Sequence, residues 1–421
     1  MDRKVTFGGK FNNNATVDIP SSKSYVHRMS ICAALSGGKS SISKVTFSND
    51  IRATLACLET LGCKVEVEDD SITLERGIFS DNLSTFDCGE SASTLRFMIP
   101  IVLSCTGKGK FTGSPTLMKR PLDTYFKLFD ECNISYDYSP GESLTVEGEL
   151  NKDEYTLDGS VSSQFITGML IALANLGGVR KIHINGQLSS APYVDITREV
   201  MSMYGVKTEF ADNTFTVYSN GGFKPCDTVA QGDFSQSAFF LVAAMLGGRI
   251  RLGNLQKKTS QGDAVIVDLI SRMGGKISFE GNDIIADKSH LKSLGTIDAE
   301  HFPDIVPPFA LLCTQCEGDT VITNVERLKI KECDRLAAVK DLLTRLGADV
   351  RSDDNNLYIS GNRHLTGCRV TSFNDHRIAM TAAVAAIAAE GSVVIEESES
   401  VRKSYPHFFD DFVKLGGISV E

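Results

Sequence analysis

The stretch MLIALANLGGVRKIHINGQLSSAPYVDITREVMSMYGVKTEFADNTFTVYSNGG (169–222) holds one complete structural unit. It opens as an apolar helical run that stops at the pair Gly177–Gly178, and VRKIHIN then alternates as a half-buried strand does. TREVMSMYG returns to helical spacing and ends on a second glycine, the residue that tolerates the left-handed turn after a helix. KTEFADNTFTVYS reads as two strands joined by the turn residues ADN. With one incoming strand the unit is βαβαββ.

The same order recurs along the chain. The helix-then-strand half appears as CAALSGGKSSIS (32–43), IPIVLSCTGKGKFTG (99–113), FFLVAAMLGGRIRLGN (239–254), FALLCTQCEGDTVITN (309–324) and AAVAAIAAEGSVVIEE (382–397). Its marker glycines Gly38, Gly107, Gly178, Gly248, Gly318 and Gly391 fall about 70 residues apart, a period that signals repeats. The helix-then-hairpin half accompanies each copy, from LACLETLGCKVEVEDDSITLERG (55–77) to AAVKDLLTRLGADVRSDDNNLYISG (337–361). The last copy, FFDDFVKLGGISVE (408–421), stops one strand short, and KVTFGG (4–9) has nothing to pair with locally. The expectation is an α/β protein with mixed sheets: six βαβαββ repeats in two similar domains of three. One domain is residues 21–230; the other is 1–20 plus 231–421, with the N-terminal strand completing its last sheet. The 36 glycines against 11 prolines are then the punctuation of the repeats.

Composition excludes several classes. No run of 18 apolar residues is present, so no membrane span is expected. The start MDRKVTFGGK lacks the apolar stretch of a signal peptide, which predicts a cytoplasmic protein. Eleven scattered cysteines in 421 residues do not make a disulfide framework. Cys313 and Cys316 form a CxxC pair inside an apolar run, which reads as core thiols. The seven histidines show no metal-ligand spacing, and no glycine-rich nucleotide loop follows a strand, so neither metal nor cofactor is expected. A formal charge of −10 argues against a nucleic-acid partner.

Polar clusters precede the first helix of each repeat: PSSKSYVHR (20–28), CGESASTLR (88–96), GSVSSQFITG (159–168), QGDFSQSAFF (231–240), AEHFPDIVPP (299–308) and FNDHRIAM (373–380). Serine and aspartate there are ordinary helix caps. Lys23, Arg28, Arg96, His376 and Arg377 are not, because cations at a helix N-terminus oppose the macrodipole. Such placement suits a bound anion held by backbone N–H groups and side chains together. Ser24 and Arg28, four apart, share a helix face. MKRP (118–121), RLKIKECDRLAA (327–338) and VRKSYP (401–406) add further basic clusters. The chemistry these suit is a substrate pair rich in phosphate and carboxylate.

PSSKSYVHR, KRPLDTY, SVSSQF, KIKECDRL, FNDHRIAM and RKSYPHFF, in this order from about residue 10 to the C-terminus, resemble the motif series of the 5-enolpyruvylshikimate-3-phosphate (EPSP) synthase family. The resemblance implies two domains of three βαβαββ units, an inside-out α/β barrel with the active site in the cleft between the domains. It implies transfer of the enolpyruvyl group of phosphoenolpyruvate to the 5-hydroxyl of shikimate 3-phosphate with release of phosphate, a step toward chorismate and the aromatic amino acids. The implied partners are these two small molecules, acting on a monomer without a cofactor.

Carried over residue by residue, the resemblance implies that Lys23, Ser24, Arg28, Ser162, Ser163, Gln164, Ser190, Tyr193, Asp304, Arg327 and Lys331 bind shikimate 3-phosphate. It assigns Lys23, Ala92, Arg96, Arg120, Gln164, Arg335, His376, Arg377 and Lys403 to phosphoenolpyruvate. Asp304 would take the proton of the attacking hydroxyl, and Glu332 and Lys23 would handle the proton at the methylene carbon. Ala92 stands where the family usually has glycine, and its methyl should crowd the longer inhibitor glyphosate more than the substrate. Arg327 stands where many members carry Asn. The related enzymes that act on UDP-N-acetylglucosamine carry a catalytic cysteine in the loop that here reads GSPTLMKRP, with Pro115 in its place. A non-catalytic anion-binding protein on the same scaffold would lack the acid–base set Asp304, Glu332 and Lys23, all of which are present.

Overall fold

A computed structural model describes residues 1–421. Six four-stranded sheets account for nearly all the strands, and every sheet has the same internal order. In the unit quoted above, Glu154–Asp158 pairs parallel with Gly178–Asn185. That strand pairs antiparallel with Thr214–Ser219, which in turn pairs antiparallel with Lys207–Ala211 at the edge. The parallel step requires a crossover helix and the antiparallel step only a tight turn. Asp212 and Asn213 form that turn, both with positive φ, as a two-residue hairpin loop demands.

The chain divides into two compact units, Ser21–Ala230 and Met1–Pro20 with Gln231–Glu421, each with its own apolar core. The first strand of each unit's first sheet comes from a distant part of the sequence. Thr228–Val229 pairs parallel with Ser40–Ser43, and Ala15–Asp18 pairs parallel with Ile250–Gly253. The truncated last repeat is completed by Arg3–Phe7, which lies between Ser392–Glu396 and Ile418–Val420.

Within each unit the helices that open the repeats lie inside and the sheets outside. In Lys23–Ala34 every residue from Tyr25 onward is buried, and Ala92–Thr106 and Ser163–Leu176 are buried over most of their lengths. Phe234–Gly247, Val306–Cys313 and His376–Ala385 play the same part in the other unit. Such helices show little amphipathic contrast because they meet protein on every side.

Glycine serves two purposes here. Gly107 caps its helix at φ 72°, a conformation that penalises any Cβ. Gly248 is extended at φ 173°, and its reason is space: an added Cβ would meet Asn13 Oδ1 at 2.5 Å and the Phe11 ring at 2.6 Å. Gly168 likewise admits a helix crossing, for a Cβ there would lie 2.6 Å from the Arg96 carbonyl and 2.9 Å from Pro100 Cγ. Pro100 sits inside its helix and lacks the N–H that would bond the carbonyl of Arg96. Tyr125 OH donates to that carbonyl at 2.6 Å and restores the missing bond. The crossing and its tyrosine strut place Arg96 beside Gln164.

Candidate active site

In the unit Ser21–Ala230 the residues at the helix starts form connected hydrogen-bond sets. Lys23 Nζ pairs with Asp50 Oδ2 at 2.7 Å, with both side chains largely withdrawn from water. Arg96 donates through Nη1 to Gln164 Oε1 at 2.8 Å and through Nη2 to the Pro121 carbonyl at 3.0 Å. Its guanidinium also lies 4.8 Å from the Phe165 ring centre. Gln164 Nε2 donates onward to Ser93 Oγ at 3.0 Å, so the amide is oriented from both ends. Ser162 caps the helix Ser163–Leu176 by accepting from the Gln164 N–H, and Ser163 is buried as its first residue.

Arg28 is held more completely. Nε donates to Thr197 Oγ1 at 2.7 Å and Nη1 to the Ser24 carbonyl at 2.7 Å. Nη2 donates to Thr167 Oγ1 at 3.2 Å and to the Tyr193 carbonyl at 3.0 Å. Four of its five N–H groups are therefore used inside the protein. No carboxylate is among these acceptors, and burial lowers the Arg28 pKa to about 10. The expected sharing of a face by Ser24 and Arg28 thus takes the form of a backbone contact. Tyr193 follows Ser190, which caps the helix Ala191–Met203 in a left-handed conformation at φ 53°. His27, between Lys23 and Arg28, is kept neutral by burial and by those two charges, and its Nδ1 contacts Thr54 Oγ1 at 2.7 Å. Ala92 is buried at the first position of its helix. Arg120 lies just beyond the short helix Pro115–Met118.

The other unit gathers the acid–base candidates. Arg335 is fully buried, and Nη1 donates to Asp304 Oδ1 at 2.9 Å. Its Nη2 donates to Glu332 Oε2, and Nε donates to Asp375 Oδ2 at 2.8 Å. Burial works against its charge, but Asp375, Glu332 and Asp304 outweigh burial and hold the guanidinium above its ordinary pKa. Asp304 also meets Arg377 twice: Nη2 lies 3.1 Å from Oδ2, and Nη1 donates to the backbone carbonyl at 3.0 Å. Lys331 Nζ lies 3.3 Å from Asp304 Oδ1. Burial pushes the Lys331 ammonium down to about 8; Asp304 opposes the shift, while Arg335 and Arg327 add to it. Arg327 stands in the 3-10 turn Glu326–Ile330, near enough for that effect. His376 is buried at the start of the helix His376–Ala385. Lys403 Nζ donates to the Asn374 carbonyl at 2.7 Å.

Asp304, Lys331, Glu332, Arg335 and Arg377 thus come from three separate stretches of sequence into one set. Sequence reasoning missed Asp50, Asp375 and Asp263. Asp375 lies inside the quoted FNDHRIAM and passes for a helix cap, a role it also fills by accepting from the Arg377 N–H at 2.8 Å. Asp50 follows a capping serine, and Asp263 precedes an apolar run; neither position carries a signal of burial beside a cation.

No helix is long and apolar enough to cross a membrane. Residues 9–412 match the family model described as EPSP synthase (3-phosphoshikimate 1-carboxyvinyltransferase). A Clostridium novyi 3-phosphoshikimate 1-carboxyvinyltransferase is 42% identical over 419 residues, 96% of each chain. One of the same name from Clostridioides difficile is 42% identical over 419 residues, 95% of each chain. Among solved structures, an EPSP synthase from Acinetobacter baumannii superposes with a TM-score of 0.81 at 21% identity, covering 100% of both chains.

Proposed function

The chain belongs to the EPSP synthase family, and on that premise we infer that it transfers the enolpyruvyl group of phosphoenolpyruvate to the 5-hydroxyl of shikimate 3-phosphate, releasing phosphate. The observation that carries the reading is the Arg335 guanidinium, which holds Asp304 on one terminal nitrogen and Glu332 on the other. One rigid group therefore sets the spacing of two carboxyl groups, as an addition–elimination with separate acid and base steps needs.

In the proposed sequence Glu332 and Lys23 deliver a proton to the methylene carbon of phosphoenolpyruvate, which makes its C2 electrophilic. Asp304 accepts the 5-hydroxyl proton as that oxygen bonds to C2, giving a tetrahedral intermediate. Loss of a proton from the new methyl group then expels phosphate from C2 and forms the enol ether. Each proton transfer is worth about 10²–10⁴-fold. Lys23, Ser24, Ser162, Ser163, Gln164, Ser190, Tyr193, Arg327 and Lys331 would bind shikimate 3-phosphate; Arg28 would order Ser24 and Tyr193 and offer its remaining N–H. Arg96, Arg120, Arg335, His376, Arg377 and Lys403 would balance the phosphate and carboxylate of phosphoenolpyruvate, with Ala92 beside it. Arginine suits the planar carboxylate because its fork binds in a bidentate way.

The reading requires residues of both units to serve one ligand pair, in a cleft that closes when both ligands bind and excludes water. It takes the protein to be a cytoplasmic monomer. Small-angle scattering tests closure: compaction only with both ligands supports it, and superimposable profiles oppose it. Incubation with phosphoenolpyruvate labelled with ¹³C at C2 tests the reaction. The label should pass into an enol ether of shikimate 3-phosphate; a label left in phosphoenolpyruvate or found in free pyruvate contradicts the assignment.

A further inference from the structure

Three of the residues read above as binding shikimate 3-phosphate stand at the starts of three helices: Ser24 in Lys23–Ala34, Ser163 in Ser163–Leu176 and Tyr193 in Ala191–Met203. The first of these helices packs on the third, and the third on the second. Four residues further along each, one helical turn deeper, come Arg28, Thr167 and Thr197. All three are buried, the two threonines completely. They meet one another. Arg28 Nε lies 2.7 Å from Thr197 Oγ1, Nη2 lies 3.2 Å from Thr167 Oγ1, and the two hydroxyl oxygens are 2.7 Å apart. The Phe97 ring centre lies 5.0 Å from the guanidinium carbon.

The protons of this cluster have one consistent arrangement. Arg28 can only donate. Thr197 donates its single hydroxyl hydrogen to the Tyr193 carbonyl at 3.0 Å, so Thr167 is the donor between the two threonines. The cluster also returns to the backbone of the residues above it. Arg28 Nη1 donates to the Ser24 carbonyl at 2.7 Å, and Nη2 joins Thr197 on the Tyr193 carbonyl at 3.0 Å. Every acceptor is neutral, so the guanidinium is fixed without its charge being cancelled. Apolar side chains would join three helices at less cost than a buried cation does.

We propose that Thr167 and Thr197 are positioning residues for shikimate 3-phosphate: tied through Arg28, they fix the helix starts that carry Ser24, Ser163 and Tyr193 relative to one another. The proposal rests on the functional reading above and names what holds that part of the site in place. Groups held before the ligand arrives lose less freedom when it binds. A positioning role therefore acts on one substrate, whereas a loss of core packing weakens the fold without choosing between substrates.

The experiment is a steady-state assay of phosphate release, giving kcat and the KM of each substrate, with urea unfolding to establish folding. It compares the wild type with Thr197→Val, Thr197→Ser and Thr167→Val. Thr197→Val keeps the shape and removes the hydroxyl, which frees Arg28 Nε and loosens the Tyr193 turn. KM for shikimate 3-phosphate should rise by about 10-fold, the cost of ordering a side chain at the moment of binding. The kcat and the KM for phosphoenolpyruvate should change little. Thr197→Ser restores the hydroxyl and should return KM toward the wild-type value. Thr167→Val leaves Arg28 bonded to Thr197 and should give a smaller rise in the same KM; it carries the test if Thr197→Val does not fold. Folded valine variants whose KM for shikimate 3-phosphate equals that of an active wild type, or whose two KM values rise together, overturn the proposal and leave the reaction assignment standing. A wild type that releases no phosphate overturns the assignment, and the proposal with it.

Discussion

Arg335 Nε donates to Asp375 Oδ2 at 2.8 Å, and both side chains are closed off from water. Asp375 does two things at once, since its Oδ1 also accepts the Arg377 N–H that begins the next helix. Removing it should leave Arg335 short of a counter-charge and the helix uncapped. Breaking a buried ion pair costs about 3–5 kcal/mol; Glu332 and Asp304 remain on Arg335, so Asp375→Ala should sit near the lower end. Asp375→Asn keeps a capping oxygen and should recover about 1 kcal/mol of that loss. Urea unfolding of the two variants checks the order; equal stabilities would refute it.

The bond from Tyr125 OH to the Arg96 carbonyl replaces one that Pro100 forbids. Tyr125→Phe should leave that carbonyl unpaired in the core, at a cost of about 1–3 kcal/mol. Pro100→Ala in the same background supplies an N–H to Arg96 and should recover part of the loss. A double-mutant cycle measured by denaturant unfolding reads the coupling, which should be non-zero.

Lys331 titrates at about 8, below the ordinary lysine range, because burial disfavours its charge. The ammonium form therefore prevails below that pH and is lost above it. If the cation binds shikimate 3-phosphate, kcat/KM for that substrate should decline as pH rises through about 8. Lys331→Arg keeps its charge throughout and should remove this limb from the profile, at whatever level its activity stands.

Ala92 is buried at the first turn of its helix. On the proposed placement of phosphoenolpyruvate beside Ala92, its methyl takes space there, so the longer glyphosate should bind the parent weakly. Ala92→Gly should lower the inhibition constant for glyphosate more than it changes KM for phosphoenolpyruvate. Strong inhibition of the parent that Ala92→Gly leaves unchanged would count against this placement.

The repeat was legible because glycine and period-2 alternation mark local structure, and each copy restates them. Arg3–Phe7 could be assigned to the last sheet by counting strands, since an unfinished hairpin leaves backbone groups to satisfy. The cations were legible for the opposite reason, standing where helix electrostatics disfavour them. What pairs with them was not. Asp375 and Ser162 look alike as helix caps, yet only Asp375 holds a buried guanidinium. Arg28 stands out as a cation, but its hydrogen bonds to Thr167 and Thr197, from two other helices, were not legible. Contacts between residues some 140 to 170 apart follow from packing, and no local pattern announces them.

Release of inorganic phosphate from phosphoenolpyruvate, measured with shikimate 3-phosphate and UDP-N-acetylglucosamine as competing acceptors, tests the central claim most directly. Release that requires shikimate 3-phosphate, matches it mole for mole, ignores the sugar nucleotide and disappears in Asp304→Ala is the predicted result. Release driven by UDP-N-acetylglucosamine, or none with either acceptor, would contradict the account.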